Sequence, residues 1–209
     1  MSVSRRYLFT EPFFLVSFIL MVPMLVFFIL SRNVQLHDML ARSPWSSDVA
    51  VARGYDPVRH SASEYLFGGG ELSLAIFSAR EIAHMRDVRQ LFMLQAALIA
   101  ITAAACIGLG IHLYVRGAAL TVLVRRGAVW GSSSLIVFGV AMALFFDQIF
   151  IAFHRVLFAN DYWLLDPDRH ILIRAYPPDF FRQFSLLVFF VVIAVHASIW
   201  AALAVSKKR

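Results

Sequence analysis

The stretch Ser78–Tyr114, SAREIAHMRDVRQLFMLQAALIAITAAACIGLGIHLY, decides the fold. Its later part is apolar over about the length that crosses the hydrocarbon core of a bilayer. Its first turns are crowded with charge (Arg80, Glu81, Arg86, Asp87, Arg89) and hold one imidazole, His84. Ser78-Ala79-Arg80-Glu81 fits a capping box, in which the Ser side chain and the Glu three residues on satisfy free amides of a first helical turn. No proline follows until the apolar run is finished. The pattern predicts one helix that starts near Ala79 in polar surroundings and continues into a membrane span.

The rest of the chain agrees with that class. Of its 209 residues, 60% are hydrophobic and 15% charged, with a mean hydropathy of +0.74. Soluble domains carry about 25% charged residues. The net charge of +6 comes from arginines and lysines that flank apolar runs. Membrane orientation produces that distribution, and no nucleic-acid-binding stripe is formed. One cysteine, Cys106, lies inside an apolar run, so no internal disulfide is possible and packing is its expected role.

Working outward, four spans are expected at about 12–30, 92–114, 133–153 and 184–205. The chain therefore reads as a mainly α, polytopic membrane protein, a single membrane domain over about 1–209. The first run is too long for a signal-peptide core and reads as an uncleaved anchor, kinked at Pro23. The connection at about 31–90 holds an amphipathic piece (Val34, Leu36, Met39, Leu40), a Pro/Ser region around Pro44 and a Gly68-Gly69-Gly70 turn. Alternation over Leu72, Leu74 and Ile76 gives a weak strand signal. Arg116, Arg125 and Arg126 make the second connection short and basic. With Arg5 and Arg6 at one end and Lys207, Lys208 and Arg209 at the other, both termini are expected in the cytoplasm. The connections at about 31–90 and 154–183 would then build a small extracytoplasmic cap.

A second stretch, Phe150–Pro167, FIAFHRVLFANDYWLLDP, mirrors the first. His154 stands just past an apolar run and is followed by Asp161, Tyr162, Trp163 and Asp166. Aromatic residues in such a place mark the membrane–water boundary. With the topology above, His84 enters and His154 leaves the membrane on one face, at matching depth. Glu81, His84 and Asp87 share a helix face. A carboxylate there would fix the tautomer of the imidazole and raise its basicity. Asp147 lies seven residues before His154, about 10 Å deeper at 1.5 Å per residue, where an acid needs a partner or a role.

Each residue alone has a plainer reading, since an isolated interfacial histidine more often contacts headgroups. Two at one depth, each near an Asp, point to a site. His84, Asp87, His154 and Asp161 could also hold a metal, although their spacing is permissive rather than diagnostic. His112 and His196 read as packing residues, and His37, His60 and His170 as solvated loop residues. Ser132–Ser134 falls at the opposite end of its span from the two histidines. No G-x-S-x-G, HExxH or Walker pattern occurs. The residues themselves leave three readings open: acid–base chemistry on a lipid, a metal-dependent lipid-ester hydrolase, and a partner-binding membrane protein without enzymatic activity.

Four motifs narrow the choice. E-x-x-H-M-x-D-V occurs at Glu81–Val88 and F-D-x-x-F-x-x-F-H at Phe146–His154. N-D-x-W-L-x-x-P occurs at Asn160–Pro167, and L-I-R-x-x-P-x-x-F-F in outline at Leu172–Phe181. Together with the four-span layout, they resemble the lipoprotein intramolecular transacylase family of bacterial membrane enzymes. One departure is Ala79, where an acidic residue often precedes the Arg-Glu pair. The resemblance implies a substrate that is a bacterial lipoprotein whose N-terminal Cys carries a diacylglyceryl thioether. It also implies transfer of the sn-2 acyl chain to the α-amine of that Cys, giving the lyso form, in the bacterial plasma membrane and without a metal or cofactor. His84 and His154 would be the catalytic pair. Glu81, Asp87, Asp147, Asp161, Tyr162 and Trp163 would support them or bind substrate, with membrane lipid around the site.

Overall fold

A computed structural model describes residues 10–43 and 54–206. All regular structure among them is helical: α1 (Thr10–Ser31), α2 (Val34–Ala41), α3 (Asp56–Ser63), α4 (Ala79–Val115), α5 (Leu120–Leu144), α6 (Phe146–Leu157), α7 (Ile171–Ala175) and α8 (Pro178–Ser206). Among the described residues, α1, α4, α5 and α8 are long and apolar enough to cross a membrane, with peak mean hydropathies of 2.9, 2.1, 1.7 and 2.5. Helices satisfy their own backbone groups, as hydrocarbon requires. Large apolar side chains such as Phe13, Val115, Val137 and Phe190 stay exposed along them, as expected where lipid is the solvent. The protein is therefore a four-helix polytopic membrane protein.

The expected capping box forms. Glu81 Oε2 accepts from the Ser78 amide at 2.7 Å and from its hydroxyl at 2.8 Å, while Ser78 Oγ accepts from the Glu81 amide at 3.3 Å. The helix duly starts at Ala79 and runs for 37 residues. α1 continues through Pro23. The amphipathic piece is α2, and the triple glycine ends a π turn over Glu64–Gly68, with Gly69 at φ +83° in the left-handed region. The Pro44 region lies outside the described residues.

Two expectations need correction. Leu72–Phe77 is not a strand: the amides of Ile76 and Phe77 both bond to the Ser73 carbonyl at 3.0 and 2.9 Å, closing a turn. With no neighbouring strand among the described residues to pair with, the alternation buries Phe77 while Leu74 and Ile76 stay exposed. The expected third span, about 133–153, straddles two helices, because α5 begins at Leu120 and ends at Leu144. Phe145, at φ −129° and ψ 33°, leaves the helical path before α6 starts. Arg125 is tolerated inside α5 by lying 4.9 Å over the Trp200 ring.

Packing divides the chain into two compact units. Among the described residues, the first comprises 10–27, 95–139 and 188–206, and its core is built on Phe14, Leu113 and Leu123. Gly127 and Gly131, four apart on α5, face bulky partners. A Cβ would come within 2.8 Å of Phe18 at the former and 2.7 Å of His196 at the latter. Small residues at this spacing let membrane helices approach closely. His196 is buried there, as its packing role predicts, with Nδ1 3.3 Å from Ser132 Oγ.

Among the described residues, the second unit comprises 28–43, 54–94 and 140–187. Val58, Ala62, Phe77, Met85, Leu172 and Ala175 form its apolar core. Beside it lies a polar hub that sequence reading missed. Arg59 is fully buried, donates to Asp38 at 2.7 Å and to the Ala175 carbonyl at 3.3 Å, and pairs with Asp56. Burial pushes the Asp38 carboxyl up, but Arg59 and His60 outweigh it and hold it below its ordinary value. His37 is not solvated either: it packs edge-on against Tyr176, Phe180 and Phe184, and burial drops its pKa to about 4.

Candidate active site

The site belongs to the second unit and is built from three segments. The polar first turns of α4 carry Glu81, His84 and Asp87 before the apolar run begins. α6 carries His154 in its last turn. The connection from Phe158 to Leu165 lies between α6 and α7. Glu81 is 1% exposed, and its Oε1 accepts the Leu172 amide at 2.7 Å. One carboxylate thus caps α4 with one oxygen and ties down the start of α7 with the other, one turn before His84.

The two imidazoles meet, with ring centroids 6.2 Å apart at an interplanar angle of 35°. Aromatic rings enclose them. Phe158 lies 5.2 Å from His84 and 5.5 Å from His154, while Phe150 and Trp163 lie 4.3 and 5.0 Å from His154. His154 Nδ1 sits 2.7 Å from the Phe150 carbonyl. A carbonyl only accepts, so Nδ1 carries the proton and Nε2 keeps its lone pair. His84 Nδ1 is buried without a hydrogen-bond partner in the described structure. Burial, and then the neighbouring His154, push the His84 pKa down to about 4 against an upward pull from Asp87. Burial also lowers His154, with the Phe150 carbonyl opposing. Both shifts favour the neutral ring, in which one nitrogen keeps a lone pair to accept a proton and the other offers an N–H to a hydrogen bond.

The remaining sequence-predicted residues divide. Trp163 faces His154, as above. Asp87 does not hold the imidazole: its Oδ2 accepts from Asn160 Nδ2 at 2.9 Å. Glu81 is likewise spent on Ser78 and Leu172 rather than on His84. Asp147 is not buried deep in a span. It lies in the first turn of α6, largely exposed, where a helix N-terminus favours a carboxylate, and it pairs with Arg182 at 3.3 Å. Asp161 and Tyr162 are exposed. The Asp161 carbonyl accepts from Arg80, and the Tyr162 amide donates to Asn160 Oδ1 at 3.0 Å. His84, Asp87, His154 and Asp161 do not converge, and among the described residues no three His, Cys, Asp or Glu side chains gather as a metal would require.

Asn160 and Arg80 were missed as site residues. Asn160 opens the third motif, so the pattern held a signal; Arg80 sits in a helix start where any charge looks ordinary.

A buried imidazole, His154, paired with the half-buried His84 in an aromatic surround at the polar end of a membrane helix defines a class: a polytopic membrane protein equipped for proton transfer. The sequence model described as lipoprotein intramolecular transacylase Lit matches residues 58–181, more than half of the chain. The chain belongs to that family, and it is an enzyme, a lipoprotein intramolecular transacylase. Its fold is similar to the in meso structure of the membrane-integral transacylase Lit from Bacillus cereus. That likeness covers 95% of this chain and 96% of the other at 23% identity and a TM-score of 0.69. Two variants of the Bacillus cereus protein give the same picture. The one with a His-to-Arg mutation matches at 21% identity over 95% and 92% of the two chains, TM-score 0.68. The one with a His-to-Ala mutation matches at 21% identity over 96% and 94%, TM-score 0.72. At these identities the likeness concerns the fold. No curated protein sequence matches the chain.

Proposed function

We propose that the enzyme moves the sn-2 acyl chain of a diacylglyceryl-Cys lipoprotein onto the α-amino group of the same Cys, with His84 and His154 as the proton-transfer pair. The observation that carries this reading is the pair of imidazoles, 6.2 Å apart by ring centroid, in one aromatic enclosure. An α-amine titrates near 7.7–8.0, so a base working near neutrality can expose its lone pair. His154 suits that task, since its Nδ1–H is held by the Phe150 carbonyl and its Nε2 is left basic. The amine attacks the ester carbonyl and His154 takes its proton. Collapse then breaks the bond to the glyceryl oxygen, which takes that proton back from His154. His84, through its unpartnered Nδ1, is placed to hydrogen-bond the developing oxyanion. Both reacting groups belong to one molecule, so holding the lipid folded back on itself supplies much of the rate enhancement. Ester becomes amide, a downhill exchange that needs no energy cofactor.

The surroundings proposed for this reaction are the bacterial plasma membrane, with both termini cytoplasmic and the site at the outer face. Basic residues near the span ends support that orientation: Arg5 and Arg6, Arg116, Arg125 and Arg126, and Lys207 and Lys208. The test is tandem mass spectrometry of a synthetic diacylglyceryl-Cys lipopeptide after incubation with the purified enzyme. The expected product has unchanged mass and one acyl chain on the amine, and His84→Ala or His154→Ala abolishes it. Release of free fatty acid would overturn the reading in favour of hydrolysis.

A further inference from the structure

We propose that Asn160 is a positioning residue that holds the Asp87 carboxylate away from His84, so that His84 Nδ1 stays available to substrate. Its use in catalysis rests on the acyl-transfer reading; its existence rests on geometry. Asp87 lies three residues beyond His84 on α4, a spacing at which side chains reach one another. An unrestrained carboxylate there would accept from the imidazole, as in many acid–histidine pairs. Instead Asp87 Oδ2 accepts from Asn160 Nδ2 at 2.9 Å, and His84 Nδ1 is left buried and unpartnered.

The orientation of the Asn160 amide is fixed from its other side. Asn160 Oδ1 accepts the Tyr162 amide at 3.0 Å, which turns the NH₂ group toward Asp87. The connection that carries Asn160 has a second tether, because Arg80 on the preceding turn of α4 donates to the Asp161 carbonyl. Asn160 is therefore not needed merely to keep the loop in place. The charged or titratable groups bearing on His84 are Asp87 on its own helix and His154 from α6. Glu81 is committed to Ser78 and Leu172, Arg80 to the Asp161 carbonyl, and the Asp161 side chain is exposed. Asp87 is thus the acid able to capture His84, and Asn160 is the group that occupies it. A captured His84 would hold its proton more tightly and point its Nδ1 at Asp87 instead of the reacting ester.

The experiment is an NMR titration of isotopically labelled histidine in the purified full-length enzyme in micelles, read for His84 without substrate. In Asn160→Ala, and in the volume-matched Asn160→Leu, the His84 midpoint should rise by at least about one pH unit as Asp87 is freed. Transfer on the synthetic lipopeptide should fall about tenfold in kcat with KM within about twofold, the pattern of a lost transition-state interaction. Adding Asp87→Asn to Asn160→Ala should return the midpoint to its wild-type value or below. An unchanged midpoint in both single variants would overturn the proposal. So would a rise that persists in the double variant, which would mean that loop opening, not Asp87, moved His84. If the wild-type enzyme fails to transfer acyl chains, the transfer reading falls, while the titration still decides the role of Asn160.

Discussion

His84 and His154 were legible from sequence because hydropathy sets depth, and each histidine stands where an apolar run meets charge. The acids around them were misread for a physical reason. A carboxylate three residues from an imidazole has competitors from elsewhere in the fold, and here the Leu172 amide and the Asn160 side chain won. Trp163, grouped with His154 in the sequence, packs beside it in the fold. Its ring lies 5.0 Å from His154, so Trp163→Ala should cost about 10- to 100-fold in kcat by loosening the imidazole, whereas Trp163→Phe should stay within a few fold, as steady-state lipopeptide kinetics would show. Titration gives a second expectation at this scale. His37 and His84 both have folded pKa values near 4 against an ordinary value of 6.5. The unfolded chain binds these protons first as pH falls, so the stability they contribute is complete above about 6.5 and is lost progressively toward 4. Thermal unfolding in detergent should fall steeply across that window, and His37→Phe should flatten part of the slope.

At the scale of elements, the capping box at Ser78 was readable because its chemistry is local. The break at Phe145 was not, because a hydropathy window sees one apolar run where the backbone turns between two helices. The Arg59 hub was invisible because its partners are far apart in sequence: Asp38, Asp56 and the Ala175 carbonyl meet only after folding. Removing one member of a buried charge cluster strands the others, so Arg59→Ala should cost about 3–5 kcal/mol in chemical unfolding of the micellar protein. Overpacking should be felt in the first unit. Gly131→Ala places a Cβ 2.7 Å from His196 Cε1, and a loss of about 1–3 kcal/mol is expected in the same measurement.

For the whole molecule, four apolar runs were enough to anticipate the class, because a bilayer restricts which chains can cross it, whereas the family was anticipated only through the resemblance carried by the four motifs. Sidedness is the expectation still to be tested. In a Cys106→Ala background, Ser73→Cys in intact cells should react with a membrane-impermeant maleimide, and Arg116→Cys should react only after the membrane is opened. The most direct test of the central claim mixes two synthetic diacylglyceryl-Cys lipopeptides that differ in peptide mass and in isotopic label of the sn-2 chain. Intramolecular transfer at the His84–His154 pair predicts N-acylated products in which every peptide carries its own sn-2 chain, with parent masses unchanged. Products with exchanged chains, or labelled fatty acid in solution, would contradict it.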